Sequence, residues 1–131
     1  MSAHADMFRA YGRPVTAMIS EYWIDTGDHA AYQEYLAESA GLRELLPALD
    51  GFHGVERYAS EREPGTFLAV GFFRDEAAVA AWWNTPEHRR AQALGRSWFF
   101  TGYRLRMAEV VRDYGPHDRD EAPVDSRRAH G

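Results

Sequence analysis

The sequence FRDEAAVAAWWNTPEHRRAQALGR, residues 73–96, predicts two short helices in succession directly after a strand. Asp75 is placed to cap the first helix, whose sequence is DEAAVAAWW. Thr85 precedes Pro86, which suits the first helical position, and together they start the second helix, PEHRRAQALGR. We therefore expect the chain to reach its last strand through a helical segment broken in two.

The preceding sequence alternates between strand and helix patterns. Residues 15–23, VTAMISEYW, are β-branched and aromatic and predict the first strand. Asp28 is a candidate N-cap for a helix over residues 29–46, which carries a broad apolar stripe and should end at the proline that follows. Residues 51–61 and 65–74, joined by a turn with Pro and Gly, predict a hairpin.

A last strand is predicted over residues 98–114, where apolar and Arg side chains alternate. The order is therefore β-α-β-β-α-β, which is typical of an α+β, ferredoxin-like fold: a four-stranded antiparallel sheet with its helices on one face. The other face, which carries Val15, Ala17 and Ile19, has no helix left to cover it. An apolar patch of that kind favours pairing with a second copy, so we expect a homodimer.

The two ends of the chain do not follow this pattern. Residues 1–14 end at a proline and predict an N-terminal arm. Residues 116–131 are nearly free of large apolar side chains and predict a disordered tail. Residues 15–115 then form a single domain, which agrees with a length of 131 residues.

The composition excludes several classes of function. The chain has no Cys, which rules out a disulfide framework, a thiolate metal site and a cysteine nucleophile. No apolar run is long enough to span a bilayer, and the N-terminus lacks the pattern of a signal peptide, so we expect a cytoplasmic protein without a membrane role. A net charge of -5 argues against binding nucleic acid through its phosphates.

Residues 73–96, together with the sequence EVVRDYG of residues 109–115, resemble the antibiotic-biosynthesis monooxygenase family of dimeric α/β barrels. The family pattern is a strand, a short helix ending in Trp, a small residue, then Pro-Glu-His and a helix that leads into the last strand. Phe52, in the segment DGFHG, resembles the family's glycine-aromatic start of the second strand. The resemblance implies a homodimeric oxygenase that uses O2 on a small aromatic or polyketide-like substrate.

The resemblance leaves the cofactor and the chemistry open, because the family includes cofactor-free, flavin-assisted and haem-degrading enzymes. We expect no metal and no bound cofactor, with haem held by His88 or reduced flavin as alternatives. Polyketide oxygenases of the family use an Asn and a Trp on the third strand, where this chain has Ala69 and Phe73. On the first strand, where related enzymes often carry another Asn, it has Ser20 and Glu21. These differences favour a further reading, a dimeric ligand-binding or accessory protein without catalysis.

Three side chains are candidates for catalysis: His88, Trp83 and His53. His88 lies one turn into a helix, where the positive end of the helix lowers an imidazole pKa, and the neutral ring can act as a base or bind haem iron. Trp82 and Trp83 point about 100° apart on their helix, so one is expected to pack inward and the other to line a cleft or the dimer seam. His53 lies on the second strand and either lines the pocket or meets a partner sheet. Each of these residues also has a purely structural reading.

Substrate contacts are assigned to side chains on the strands. Tyr22 and Tyr58 can donate to a ligand carbonyl, although a buried Tyr needs such a partner in any protein. Arg104 can balance an anionic intermediate or lie exposed. Phe73 and Trp98 are candidate aromatic walls. No spacing of His and carboxylates predicts a metal site.

Overall fold

A computed structural model describes residues 11–94 and 100–130 of the chain. Within these ranges the elements follow the predicted order. They are β1 Thr16–Ile24, α1 His29–Leu45, a short 3₁₀ turn Leu46–Ala48, β2 Phe52–Ala59, β3 Thr66–Phe73, α2 Glu76–Trp83, α3 Pro86–Leu94, β4 Phe100–Glu109 and α4 Val124–His130. The four strands form one sheet in the order β2-β3-β1-β4, and every neighbouring pair is antiparallel. The predicted α+β, ferredoxin-like architecture is confirmed.

The predicted helix starts are confirmed by their caps. The Asp28 carboxylate accepts a hydrogen bond from the backbone N–H of Ala31 at 3.1 Å, and the Asp75 carboxylate accepts one from Ala78 at 2.9 Å. Thr85 Oγ1 accepts from the backbone N–H of His88 at 3.2 Å. Each side chain satisfies an N–H that has no partner within its own helix, which fixes where the helix begins.

Helices α1, α2 and α3 pack on one face of the sheet, and two clusters of buried side chains fill the layer between them. One cluster centres on Phe73, which has no exposed surface, and includes Met18 and Trp82. The other joins Tyr22 and Tyr35 with neighbouring apolar side chains. Because Met18 and Tyr22 are both on β1, this central strand anchors both clusters.

The sheet face opposite the helices is covered over part of its length. Val15 and Ala17, expected on an uncovered patch, are buried within this chain, whereas Ile19 is only partly buried. Residues 11–14 of the predicted arm lie beside one end of this face, while residues 1–10 lie outside the described residues. The Tyr11 ring lies 5.8 Å from that of Phe72, which pairs with Ala17, and Val15 lines a hollow beside Tyr11.

The C-terminal segment departs from its prediction as well. The last strand ends at Glu109, short of the predicted residue 114, and its predicted start at residue 98 lies outside the described residues. Where the sequence predicts a disordered tail, helix α4 forms instead, and Ala122 just before it is buried. Arg13 of the arm donates to the Glu121 carboxylate and to the carbonyl of Val111, so the two ends of the described chain are joined. Among the described helices, none is both long and apolar enough to cross a membrane.

Candidate functional site

A cavity of about 220 Å³ lies between the sheet and the helices. Its floor is formed by the helix-facing side chains of the strands. Its roof combines Tyr35 and Leu42 of α1, Trp82 and Trp83 of α2, and His88 and Gln92 of α3. The lining is mainly apolar, with a few polar groups at defined places, which is the usual character of a small-molecule site.

Small residues on the floor create the space. The strand register aligns Arg57, Ala69, Ser20 and Leu105 in one row across the sheet, and all four line the cavity. The two central members of the row are Ala69 and Ser20, whose short side chains leave room beneath the helices. These are positions at which the family resemblance leads one to expect Asn. Glu21, the neighbour of Ser20, lies on the opposite face and pairs with Arg106.

His88 is held between two tryptophans. Its ring centroid lies 4.9 Å from that of Trp82, edge to face, and 4.7 Å from that of Trp83. The pKa of His88 is lowered to about 4, mainly by burial and to a smaller extent by the nearby Arg89 charge, while a backbone hydrogen bond acts in the opposite direction. The lowered pKa predicted from the sequence is confirmed in direction, but its main cause is burial among aromatic rings. The imidazole is therefore neutral at neutral pH.

Gln92 fixes which nitrogen of His88 carries the proton. Its side-chain nitrogen donates to the carbonyl oxygen of Trp83 at 3.2 Å, so this end of the amide must be the NH₂ group. The same nitrogen lies 2.8 Å from His88 Nδ1. Since NH₂ can only donate, Nδ1 accepts and the proton of the neutral ring is on Nε2. Gln92 was not predicted; its spacing four residues after His88 on a helix is the signal that could have identified it.

Three side chains of the cavity lining, Arg57, Tyr35 and Tyr22, are joined by hydrogen bonds. Arg57 donates to the Tyr35 hydroxyl at 3.1 Å, and the Tyr35 hydroxyl donates to that of Tyr22 at 2.6 Å. Burial and the neighbouring Tyr35 raise the pKa of Tyr22 well above its usual range, so Tyr22 keeps its proton. Tyr22 was predicted, but Tyr35 and Arg57 were not. Their contact depends on how α1 docks on β2, which no local pattern specifies.

The structure brings together His88, Trp83 and Tyr22 of the predicted site residues, and Trp82 with them. Trp82 is buried and Trp83 half-buried, which is the division predicted for the adjacent pair. Two other residues, Phe73 and Trp98, were predicted as aromatic walls. Phe73 is wholly enclosed in the core and has no exposed surface that a ligand could contact. Trp98 lies outside the described residues.

Three predicted site residues lie away from this cavity. His53 stacks on the Tyr11 ring at 4.7 Å between centroids, on the face opposite the helices, because a β-bulge between Phe52 and Gly54 turns it away. Tyr58 is exposed. Arg104, also exposed, pairs in register with Glu21 on that same outer face. A catalytic or binding role for these three residues within the cavity does not agree with these positions.

The described residues contain no group of three His, Asp or Glu side chains placed to hold a metal ion. The polar side chains of the cavity lining include the hydrogen-bond donors Tyr22, Arg57 and His88, beside the carboxylates of Glu38 and Glu56. Donors of this kind stabilise negative charge on an oxygen atom in an apolar surrounding.

Comparisons with known proteins agree on one family. The sequence model of antibiotic biosynthesis monooxygenase matches residues 14–94. A curated relative, "Jasmonate monooxygenase ABM" of Pyricularia oryzae, is 37% identical over 80 residues, which cover 61% of this chain and 37% of the relative. The chain thus matches little more than a third of that relative's length.

Solved structures share the fold at low sequence identity. A protein of Nitrosomonas europaea described as an antibiotic biosynthesis monooxygenase superposes with a TM-score of 0.64 at 13% identity, over 78% of this chain and 96% of its own. Rv0793 of Mycobacterium tuberculosis gives a TM-score of 0.65 at 14% identity, over 77% and 99% of the two chains. With a family match over more than half of its length and the same fold, this chain belongs to the antibiotic biosynthesis monooxygenase family.

Proposed function

We propose that the protein is a monooxygenase that oxidises a small aromatic or polyketide-like substrate in this cavity, with O2 and without a metal or bound cofactor. The observation that carries the proposal is the pairing of aromatic walls with hydrogen-bond donors at Tyr22 and His88. The curated relative is named for jasmonate, so that compound belongs among the substrates to be tested.

The proposed reaction needs no external reductant. A substrate CH₂ group beside a conjugated oxygen loses a proton, and the resulting carbanion is delocalised onto that oxygen as an enolate or phenolate. One electron passes to O2, and the substrate radical and superoxide then combine into a peroxide. Protonation and loss of water leave a carbonyl, so that CH₂ and O2 become C=O and H₂O. The substrate supplies all the electrons.

The protein's part in this scheme is electrostatic. Tyr22 donates to the oxygen that becomes negative, and Arg57 strengthens this donation through Tyr35. The tautomer set by Gln92 makes His88 a donor at Nε2, so we assign it to hydrogen-bond a substrate or peroxide oxygen in place of the base role suggested by its sequence position. The carbon-bound proton then passes to water at the open side of the cavity. Trp82 and Trp83 give the cavity apolar walls, which we assign to keeping water away from the reacting atoms.

We assign neither haem nor flavin to this cavity. Its volume of about 220 Å³ lies below the ~300–1,000 Å³ typical of pockets for drug-sized ligands, and both groups are at least drug-sized. In the tautomer set by Gln92, Nε2 of His88 carries the ring proton and therefore offers no lone pair to haem iron. We therefore derive no step through either group.

The test is oxygen consumption with a panel of anthrones, naphthols, quinols and jasmonate, without added cofactor. We expect uptake with at least one compound, and ¹⁸O₂ should place one labelled atom in the product and one in water. His88→Ala and Trp83→Ala should reduce uptake, whereas Arg62→Ala, in the exposed turn between β2 and β3, should not. No uptake with any compound, or uptake unchanged by both cavity substitutions, would favour a non-catalytic ligand-binding protein.

A further inference from the structure

We propose that the cavity selects ligands that carry an oxyanion, and that Arg57 is the residue that sets this preference. The inference rests on the proposed function only in taking this cavity as the substrate site. It narrows the substrate to a small, flat, apolar molecule with one negatively charged oxygen group: a carboxylate, a phenolate or an enolate.

The surroundings of Arg57 are aromatic. Its guanidinium lies 5.5 Å from the centroid of the Tyr35 ring and 5.3 Å from that of Phe67, and the side chain is half-buried. Aromatic faces attract a cation, but they do not replace a counter-ion where water is partly excluded. A guanidinium in such a place gains most from an anionic partner.

Among the described residues, no carboxylate pairs with the Arg57 guanidinium. The adjacent Glu56 also lines the cavity, but its carboxylate accepts a hydrogen bond from the Arg57 backbone N–H and forms no ion pair with the guanidinium. Glu38, the other carboxylate at the cavity, pairs with Arg90 at 2.9 Å. The positive charge at this end of the cavity is therefore not neutralised by the described chain, and an anionic ligand would supply the missing charge.

The hydrogen bonds from Arg57 lead toward the same ligand position. Arg57 donates to Tyr35 and Tyr35 donates to Tyr22, so the Tyr22 hydroxyl still has its own proton to donate. Hydrogen bonds in series polarise one another, and a chain that starts at a cation makes its last O–H a stronger donor. Such a donor discriminates in favour of a charged oxygen over a neutral one.

A matched pair of ligands tests the preference without any turnover. 1-Naphthoate and 1-naphthamide have nearly the same shape, but only the first is an anion at neutral pH. We expect the protein to bind 1-naphthoate at least about tenfold more tightly, as measured by calorimetry or by quenching of tryptophan fluorescence. Arg57→Met should bring the two affinities within about twofold, and Arg57→Lys, which keeps the charge, should retain part of the difference.

Two further variants separate this role from general effects. Arg62→Met removes an exposed charge outside the cavity and should leave the preference intact. Tyr22→Phe keeps the ring and should weaken naphthoate binding more than naphthamide binding. Circular dichroism and thermal unfolding show that each variant is folded. Equal affinity for the two probes, no binding of naphthoate, or an unchanged preference in Arg57→Met would overturn the inference.

The outcomes also distinguish this inference from the proposed function. A preference for naphthoate that depends on Arg57, without oxygen uptake on any substrate, supports the anion site and contradicts the oxygenase. Oxygen uptake without the preference supports the oxygenase and contradicts the anion site. Comparing 1-naphthol above and below its own pKa extends the result from carboxylates to phenolates.

Discussion

The side-chain amide of Gln92 donates to the backbone of Trp83 and to Nδ1 of His88, so the imidazole meets an NH₂ group on one side. A second proton on this ring would place an N–H against the amide hydrogens. The contact therefore acts in the same direction as burial: it keeps His88 neutral and its remaining proton on Nε2.

Gln92→Glu should reverse this arrangement. A carboxylate in place of the amide would accept from Nδ1 and stabilise the imidazolium, raising the pKa of His88 from about 4 by about 1 to 3 pH units. Imidazole ¹⁵N chemical shifts followed through a pH titration report both the pKa and the tautomer. Gln33→Glu, an exposed site on α1, makes the same chemical change elsewhere and should leave the His88 titration unaltered. An Nδ1–H tautomer in the wild-type protein would contradict the assignment.

The stability of the protein should fall as the pH is lowered from about 6.5 to about 4. The folded pKa of His88, about 4, lies below the ordinary value of 6.5, so between these values the unfolded state binds more protons. The stability that depends on a neutral His88 is fully present above pH 6.5 and is lost as the pH approaches 4. We expect the loss of unfolding free energy from this residue to be about 2 kcal/mol. The value is smaller than the full pKa shift would give, because part of the ring stays in contact with solvent.

Denaturant unfolding at several pH values checks this dependence. His88→Leu should flatten the acid side of the stability profile, while His117→Leu, exposed in the C-terminal segment, serves as the control. If the two variants had the same profile, burial of His88 would not be the source of the acid dependence.

Ala69→Leu should block ligand binding with little cost to the fold. The side chain would extend into the cavity, where space exists, so we expect a loss of about 1 kcal/mol in unfolding free energy, the lower end of the range for added methylenes. Affinity for 1-naphthoate should fall by at least about tenfold. The control is Ala77→Leu, which adds the same volume on the exposed side of α2. Undiminished binding in Ala69→Leu would show that ligands bind elsewhere.

Phe73→Leu should destabilise the fold and leave ligand binding nearly unchanged, which is the reverse of the result expected for Ala69→Leu. Phe73 is wholly enclosed and packs edge to face on Phe52, so removal of ring atoms leaves a void in the core. We expect a loss of about 1 to 2 kcal/mol in unfolding free energy and an affinity for ligand within twofold of the wild type. A selective loss of binding without a loss of stability would support the wall role suggested by the sequence.

Signals within single segments of the sequence were enough to predict the helices and strands of the fold. Asp28, Asp75 and Thr85 marked the helix starts because a cap needs only its own first turn. His88 and Trp83 were found for the same reason, since both belong to one short helical segment. The family pattern and the periodicity agreed because both depend on these nearby residues.

The parts that were missed depend on long-range geometry. His53 was open to either face, and strict alternation groups it with Arg57, but one bulge after Phe52 separates them. The contact of Arg57 with Tyr35 requires α1 to dock on β2. Ala17 is buried where Tyr11 packs near its strand partner Phe72, and this contact could not be derived from the first strand alone.

The row from Arg57 through Ala69 and Ser20 to Leu105 has a consequence for how the protein can evolve. Its two central side chains border the cavity, and both are only partly buried, with Ala69 at the edge of one core cluster. Single substitutions at these two positions can therefore change which compounds are accepted while the scaffold is kept. Descendants of one such chain can divide a set of chemically related substrates among themselves by exchanging two residues.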